Sequence, residues 1–533
     1  MPLTSEEIVT LLSSRNLENG YKSIADIPHF SMMKDMIKGA KRLADAVRNK
    51  EQIFCIADYD ADGSCAAAVS ISFFNDIGYP IQWMIPDRFT DGYGVSPSIL
   101  ERIDNVDVIF TVDNGIMAYE AAKVCKDRDI DLIITDHHTT GDVVPDCCAV
   151  INPKQNDCPY TFKDGSGCFV AWMLCCAVKY ELGLDTNMGK YLDLVALSTI
   201  TDVMPLTGIN RHLVQYGLKK INTLQRPFFR ELALSMGKTS FSYDDLGFQV
   251  GPRINAAGRL MHASLAVEAL LAESDEAVHH VQRLSEINQR RKMMQTEMAE
   301  NVMNLAEGQE DFIVISSDTL HEGIVGIVAA KVAEATGYPT IILAKAENGL
   351  LKGSGRTVGS VDLFALIDEN SRYLEKFGGH AGACGVSLKE ENLDAFIEGL
   401  RSASQRLPRS SFEPLDSAIG ELTPESADLD LYYQIEQFAP FGEGNPMPIF
   451  LCKEAIVISS RAVGKEGDHT RLTLLWKDRE IVVMAFNTYA DQYPVGSKVS
   501  FNYRLDLNEW NGNINLQFFP TGEIKVKNND IRK

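Results

Sequence analysis

The sequence has 11 cysteines but no Cys-x-x-Cys pair. The cysteines are scattered, and the adjacent pairs Cys147–Cys148 and Cys175–Cys176 sit in apolar stretches. That excludes a disulfide frame or a thiolate zinc site in favour of reduced, buried thiols. No apolar run reaches the length of about 18 residues that a membrane-spanning helix needs. The opening MPLTSEEIVTLLSS lacks a basic stretch followed by an apolar one, so it is not a signal peptide. A cytoplasmic location with no membrane partner is expected. Basic excess is also missing, since the formal charge is −22. Taken whole, that opposes a polyanionic partner. Residues 451–533, however, hold 12 Lys/Arg against 10 Asp/Glu, or +2, which leaves −24 for the first 450 residues. The last segment is therefore less hostile to a polyanion than the rest. Divalent cations held by aspartates would neutralise part of the remainder. Proline and glycine are absent from 263 to 306. This predicts one long helix containing a bend, suited to bridge two domains. No internal repeat is evident.

What is present reads as ordinary globular sequence, 45% hydrophobic and 23% charged over 533 residues, enough for three or four domains. Residues 1–50 are helical and charged. Short apolar strands then alternate with helices: IFCIADYD (53–60), SCAAAVSISFFNDIG (64–78), IQWMIPDR (81–88), NVDVIFTVDNG (105–115), YEAAKVCKDR (119–128) and DIDLIITDHH (129–138). That alternation predicts βαβ units and a mostly parallel sheet. Apolar helical sequence follows over 166–184 and 191–222, and FQVGPRINAAGRL (248–260) reads as a Gly-punctuated loop. A second α/β unit starts at 311 and includes LKGSGRTV (351–358), read as a glycine-rich turn. Residues 402–430 are rich in Ser, Pro and acid, as a linker would be, and 449–520 alternates as a small β-barrel of five strands would.

Three of the strands end in acid: Asp58, Asp60 and Asp62; Asp113; and Asp136 with His137 and His138. In an open parallel sheet the carboxyl edge carries ligands, so acids distant in sequence converge there. Asp202 follows an apolar stretch, where a carboxylate is expensive unless paired or metal-bound. All eight candidates are carboxylate or imidazole. Such a set suits Mg²⁺, and histidine tilts it toward Mn²⁺. Eight donors exceed the needs of one ion. A pair of ions about 4 Å apart clamps the attacking and leaving oxygens of a phosphoryl centre. On a strand Asp58 and Asp60 share a face. The turn after them either returns Asp62 to the same ion or gives it a supporting role, and Gly63 fits a sharp turn. His137 and His138 point oppositely on extended backbone, so one ligates while the other meets substrate. Spacing does not say which.

DYDADG, VDNG, TDHH and STITDVMPL resemble the four signature motifs of the DHH phosphoesterase superfamily. Within it, RFTDGYG, PRINAAGRL, HEGIVGIVAAK, GSGRT, FGGHAGACG and PFGEGNPMPIF, in that order, resemble the bacterial RecJ single-strand-specific exonucleases over residues 50–520. The resemblance implies an α/β architecture with several parts. Residues 1–50 are an N-terminal helical extension, and 51–262 a parallel-sheet DHH catalytic domain. A long connecting helix spans 263–308, and a DHHA1-type α/β domain 309–405. A linker over 406–448 leads to an OB-fold β-barrel at 449–525. It implies 5′→3′ release of mononucleotides from single-stranded DNA with Mn²⁺ or Mg²⁺, two ions in all, in DNA repair and recombination. Metal ligands would be Asp58, Asp60, Asp62, Asp113, His137 and Asp202. Asp136, His137 and His138 are the catalytic candidates, with Asp136 and His138 beside the metals or on the phosphate. Arg88, Ser354 and Arg356 would bind the 5′ phosphate, and His380 would face substrate from the second domain. Physical chemistry adds that Arg253 and Arg259 suit a phosphate backbone. Gly353 and Gly355 would open backbone N–H groups to a phosphate. Trp476, Tyr503, Trp510 and Phe518 either offer stacking surface or fill the barrel core, and pattern does not separate the two. Expected partners are single-stranded DNA with a 5′ phosphate, single-strand-binding protein and a helicase. The chain ends in EIKVKNNDIRK just past the barrel, without the further C-terminal domain of some longer relatives. Docking of single-strand-binding protein through that domain is therefore not expected.

Overall fold

Short apolar segments rich in Ile and Val build the first sheet of the computed structural model. The model describes residues 2–346, 349–413, 418–423, 425–464, 467–486, 488–510 and 513–527, with backbone alone for 509, 510 and 513. β1 (Ile53–Ala57), β2 (Gln82–Met84), β3 (Val108–Val112), β4 (Asp131–Thr135) and β5 (Ala149–Ile151) run in the order β2-β1-β3-β4-β5. Every pairing is parallel. β3 is buried at all five positions, as a parallel sheet covered on both faces requires. β5 was not expected, because three residues are too few to show a period.

The helices named here are α1 (Met36–Asn49), α2 (Ala61–Asp76), α3 (Tyr119–Asp127), α4 (Gly167–Leu182) and α5 (Leu192–Thr201). One sheet face packs Ile109, Leu132 and Ile134 on Ala121, Ala122 and Cys125 of α3. The opposite face meets α2, whose Phe74 ring lies 5.9 Å from that of Phe110. α2 begins inside DYDADG rather than after it, because Asp60 caps it: Gly63 N–H donates to Asp60 Oδ1 at 3.0 Å. Gly63 therefore lies in a helix, not a sharp turn. It is needed because a Cβ there would sit 2.5 Å from the Asp58 carbonyl oxygen.

FQVGPRINAAGRL is helical, not a loop. A π turn (Leu246–Val250) leads directly into α6 (Gly251–Leu260). Its glycines serve close packing instead of turns: a Cβ on Gly251 would lie 2.5 Å from Thr201 Cγ2, and one on Gly258 would lie 2.4 Å from Tyr59 O. The expected bend in the bridging segment is a break at Ala272–Glu273 between α7 (Ser264–Leu271) and α8 (Ser274–Ala306).

The second lobe is built on β6 (Ile313–Ser317), α9 (Val325–Thr336), β7 (Thr340–Lys345), β8 (Leu351–Arg356), α10 (Leu363–Glu369), β9 (Lys376–His380) and β10 (Ala383–Leu388). Its sheet order is β6-β7-β8-β10-β9, with only β6–β7 parallel. LKGSGRTV is thus the central strand β8, not a turn. A Cβ on Gly353 would meet Ile342 O at 2.1 Å, and one on Gly355 would meet Leu363 Cδ2 at 2.9 Å. Small residues are required there by neighbouring backbone and by α10. The backbone N–H groups of β8 serve ladders on both sides, so they are not open to a phosphate.

These elements form one compact unit, Pro28–Asp202 with Tyr216–Leu415. A second unit joins Met1–Ile27, Val203–Gln215 and Asp416–Lys533. The expected N-terminal extension therefore divides. Ile8 and Leu12 of the helix Ser5–Ser13 enter the core of the second unit. α1 instead packs on the parallel sheet, where a Cβ on Gly39 would lie 2.9 Å from Ile151 Cδ1. In the second unit β11 (Ala418–Gly420) adds to the strands β12 (Ile449–Val463), β13 (His469–Trp476), β14 (Arg479–Ala485), β15 (Lys498–Trp510) and β16 (Asn513–Lys527). The order β12-β13-β14-β16-β15, with β15 returning to β12, closes a five-stranded barrel. Residues 418–436 also hold β11 and a helix (Leu429–Glu436), so the expected linker is structured there. No described helix is long and apolar enough to cross a membrane.

Candidate metal and phosphate site

The carboxyl ends of β1, β3 and β4 meet at one edge because the strands are in parallel register and each ladder runs one residue further. Asp58 N–H donates to Val112 O, and Asp136 N–H to Ile151 O. Asp113 takes the left-handed conformation, φ 62°. Such a backbone at a strand end costs roughly 1–3 kcal/mol and must be held by its surroundings. Asn114 holds it: its Nδ2 donates to Ile56 O and Val112 O at 3.1 and 2.9 Å, and its Oδ1 accepts from Val95 N–H. Gly167, at the start of α4, leaves room for the Asp113 carboxylate, which a Cβ there would approach to 2.2 Å.

Three overlapping groups of donor atoms result: Asp58, Asp60 and Asp113; Asp113, His137 and His138; and Asp62, His137 and Asp202. His137 Nε2 lies 3.2 Å from Asp113 Oδ1, 3.4 Å from Asp202 Oδ2 and 3.7 Å from Asp62 Oδ2. Asp58 Oδ1, Asp113 Oδ1, Asp202 Oδ2 and both His137 nitrogens are buried without a hydrogen-bond partner. Orphaned buried donors cost free energy, and this set converges on one place. Burial, reinforced by the neighbouring carboxylates, raises the pKa of Asp58 and Asp113 well above the ordinary range. Burial and the charges of Asp62 and Asp60 push Asp202 up to about 9. Burial holds His137 down, which favours the neutral imidazole that ligates metal. A donor set of this kind fits divalent cations with oxygen and imidazole ligands.

Asp58 and Asp60 are brought together as expected, but by the capped turn, since β1 ends at Ala57. Asp62 does something different. Its Oδ1 accepts from Cys168 N–H and Ser198 Oγ–H, and its Oδ2 from Gly167 N–H, at 2.6–2.8 Å. It ties the start of α4 and the last turns of α5 to the motif, while Oδ2, with one hydrogen bond, keeps a lone pair on the side of His137 and Asp202. Asp136 is similarly committed. Its carboxylate accepts from Ile116 N–H, His137 N–H and His138 N–H, and contacts His138 Nδ1 at 2.7 Å. Burial would lower the His138 pKa, but the hydrogen bond and charge of Asp136 raise it to about 9. His138 is the exposed histidine of the pair, and its Nε2 lies 3.4 Å from Tyr93 Oη.

Beside His138 lies a cavity of ≈ 770 Å³ lined by Tyr59, Tyr93 and Ile116 and, from the second lobe, by Gly378, Gly379 and Gly385. His380 is exposed at the end of β9 and is not in that lining; the backbone of its two preceding glycines is. Arg88 stacks over the Tyr59 ring at 5.0 Å. Ser354 and Arg356 share a face of β8 beneath α9, with Arg356 donating to Ser354 Oγ at 2.7 Å. Arg259 donates only to Gly323 O, at 3.3 Å. Burial, together with the charges of Arg88, Arg291 and Arg356, lowers its pKa to about 10. Among the described residues none of these four arginines forms an ion pair with a carboxylate. Arg253 donates to Gln249 O and Oε1, leaving its Nε buried and unpartnered.

Sequence reasoning missed Asn114, Ser198, Asn255, Tyr59 and Tyr93. Asn255 Oδ1 accepts from Ala61 N–H at 2.8 Å, tying α6 to the metal-facing turn. Asn114 and Ser198 lie inside VDNG and STITDVMPL, which was the available signal. The open alternative for the barrel aromatics falls to the core for three of them. Trp476, Tyr503 and Phe518 are buried in the barrel core, because the alternating pattern turns them inward. The side chain of Trp510 lies outside the described residues. Stacking surface is instead offered outside the barrel by Phe486, whose ring lies 5.3 Å from His469 and 5.6 Å from Phe519, with Arg504 over Phe519.

Family models match three successive segments: the DHH family N-terminal domain at 52–199, the DHHA1 domain at 309–405 and the RecJ OB domain at 420–520. The single-stranded-DNA-specific exonuclease RecJ of Escherichia coli is 31% identical over 547 residues, covering 95% of this chain and 92% of that protein. The Bacillus subtilis protein of the same name is 33% identical over 491 residues, and this chain spans 62% of its length. The crystal structure of RecJ in complex with Mn²⁺ from Thermus thermophilus superposes with a TM-score of 0.81 at 26% identity, covering 99% of this chain and 79% of that one.

Proposed function

The chain belongs to the RecJ family, and from that premise we propose that it hydrolyses single-stranded DNA from the 5′ end, releasing 5′-mononucleotides in DNA repair and recombination. One observation carries the reading. Orphaned donor atoms of Asp58, Asp113, His137 and Asp202 converge at a sheet edge, and an arginine cluster without carboxylate partners among the described residues lies close enough for Asp60 to act on Arg259. The first group calls for cations and the second for phosphate. Asp58, Asp60 and Asp113 would hold one Mn²⁺ or Mg²⁺, and His137 and Asp202 a second. Asp113 would be within reach of both, and Asp62 would hold its neighbours in place. Such ions supply a water of lowered pKa and neutralise phosphoryl oxygens.

The protein's own groups do the rest. Arg88, Arg259, Ser354 and Arg356 anchor the terminal 5′ phosphate, setting direction and step size. His138, held by Asp136 and protonated at neutral pH, donates toward the leaving oxygen. Arg253 contacts the strand further along, and His380 approaches it from the β9–β10 hairpin. In this division of labour residues 51–262 hold the metals, 309–405 complete the phosphate pocket and 449–525 guide the strand. A cytoplasmic enzyme that takes only single strands needs something to open duplexes. A helicase and single-strand-binding protein are therefore the partners to seek.

The test is digestion of 5′- and 3′-labelled single- and double-stranded DNA with and without Mn²⁺. Mononucleotides should appear only from single strands, only with metal, and from the 5′ end first. Release of the 3′ label first would overturn the polarity. Metal-independent product would overturn the site.

A further inference from the structure

Phe248 is the most exposed large apolar side chain among the described residues, at 72% of its surface. Single exposed apolar residues are common and usually need no explanation. This one differs in how it is held and in what surrounds it. It is the middle residue of the π turn Leu246–Val250, whose two end residues are fully buried, so its outward projection is fixed by its own turn. Turns of this type are rare and frequently sit at functional sites. The π turn is seated on the end of α5: a Cβ on Gly247 would lie 3.4 Å from Ile200 Cγ2, and one on Gly251 would lie 2.5 Å from Thr201 Cγ2. The next residue is the metal-facing Asp202. The position of Phe248 is thus coupled through two packed residues to the donor cluster.

Its surroundings are cationic. The Arg253 guanidinium folds back along the same turn, donating to Gln249 O at 2.6 Å. α8 lies along α6 and contributes Lys292, which is exposed and close enough to Arg253 and Arg291 to feel both charges. Among the described residues neither Arg253 nor Lys292 has a carboxylate partner. An exposed ring on a turn that also seats an uncompensated guanidinium, with a second cation near that guanidinium, suits a base and its neighbouring phosphates, the pattern by which single strands are held without sequence preference.

We propose that Phe248 is a stacking platform for a base on the 3′ side of the scissile bond, with Arg253 and Lys292 on the flanking phosphates. This rests on reading the donor cluster and the arginine pocket as a nuclease site. The terminal nucleotide then takes the Arg88 and Arg356 side, and the rest of the strand leaves past Asp202. The test is kcat/KM with Mn²⁺ on 5′-phosphorylated oligodeoxynucleotides carrying one abasic residue, moved stepwise from the 5′ end. Wild type, Phe248→Ala and Phe248→Trp are compared. On the intact strand Phe248→Ala should lose about fivefold or more, mainly in KM, while Phe248→Trp keeps most of the activity. At one internal abasic position the wild type should fall to the level of Phe248→Ala, and the difference between them should vanish. An equal ratio of wild type to Phe248→Ala at every abasic position would overturn the inference, as would an alanine variant with unchanged KM. If the wild type digested none of these strands with Mn²⁺, the nuclease reading itself would fall. If it digested them with no coupling at Phe248, only this inference would fall.

Discussion

The acidic sheet edge and the arginine cluster are opposite in charge, yet neither neutralises the other. Each is withdrawn from solvent at least in part, each is like-charged, and each contains members held toward the neutral form by burial and like-charged neighbours. Burial and mutual repulsion raise Asp58, Asp113 and Asp202, and burial with neighbouring guanidinium groups lowers Arg259. Two such groups that merely stabilised a fold would pair with one another. Keeping them apart costs stability and leaves each set free for a ligand of opposite charge. They also arise differently. Most of the acids come from one repeated device, a strand ending at the same edge, and Asp202 joins them from the end of the helix α5. The cations come from a loop, two helices and a strand in two lobes.

The sharpest way to break the comparison is Asp113→Asn. Asn tolerates the left-handed backbone as Asp does, so the fold should survive. Mn²⁺-dependent hydrolysis should fall by roughly a hundredfold or more. The metal-free protein should melt higher than wild type, because one repelling carboxylate is gone. A lower melting temperature without metal would show that the acids are not in conflict. Next in size is Arg356→Ala, expected to erase most of the preference for a 5′-phosphate over a 5′-hydroxyl end, about tenfold or more. Rates on matched oligonucleotides measure it, and an unchanged ratio would remove this arginine from the phosphate pocket. Ser198→Ala deletes a hydrogen bond to Asp62 without touching substrate. It should weaken Mn²⁺ binding by about tenfold, read by calorimetry. Full affinity would mean that Asp62 needs no such support.

The smallest effect is on thermal stability against pH. Asp202 has its folded pKa raised from 3.8 to about 9. Between those values the folded state binds more protons than the unfolded state, so stability must fall as pH rises through that window. Saturating Mn²⁺ replaces those protons and should flatten the slope, raising the melting temperature by a larger increment at pH 8 than at pH 6. Equal increments at both would contradict the assignment.

Particular residues show how much could be read in advance. Asp58, Asp113 and Asp136 were legible because an apolar strand followed by an acid has few other uses. The metal-facing edge followed from βαβ alternation alone. The barrel was legible from alternation, but which aromatics face outward was not. Period two separates the two faces without saying which is the inner one, and Trp476 and Tyr503 proved to be core. The glycines of PRINAAGRL and GSGRT were misread for a related reason. Glycine marks either a turn or a close approach, and only the neighbour at 2–3 Å tells them apart.

The sequence by itself determined the order of elements, the parallel sheet and the identity of the acids, because local periodicity and strand-end chemistry are local properties. Tertiary structure alone decided the rest. It made Asp62 an anchor of α4 and α5 as well as a member of the donor group with His137 and Asp202. It separated the buried His137 from the exposed His138, and it gathered Arg88, Arg259 and Arg356 from segments up to 268 residues apart into one cluster. These outcomes depend on which groups meet across the fold and how much water is left between them. No stretch of neighbouring residues encodes that.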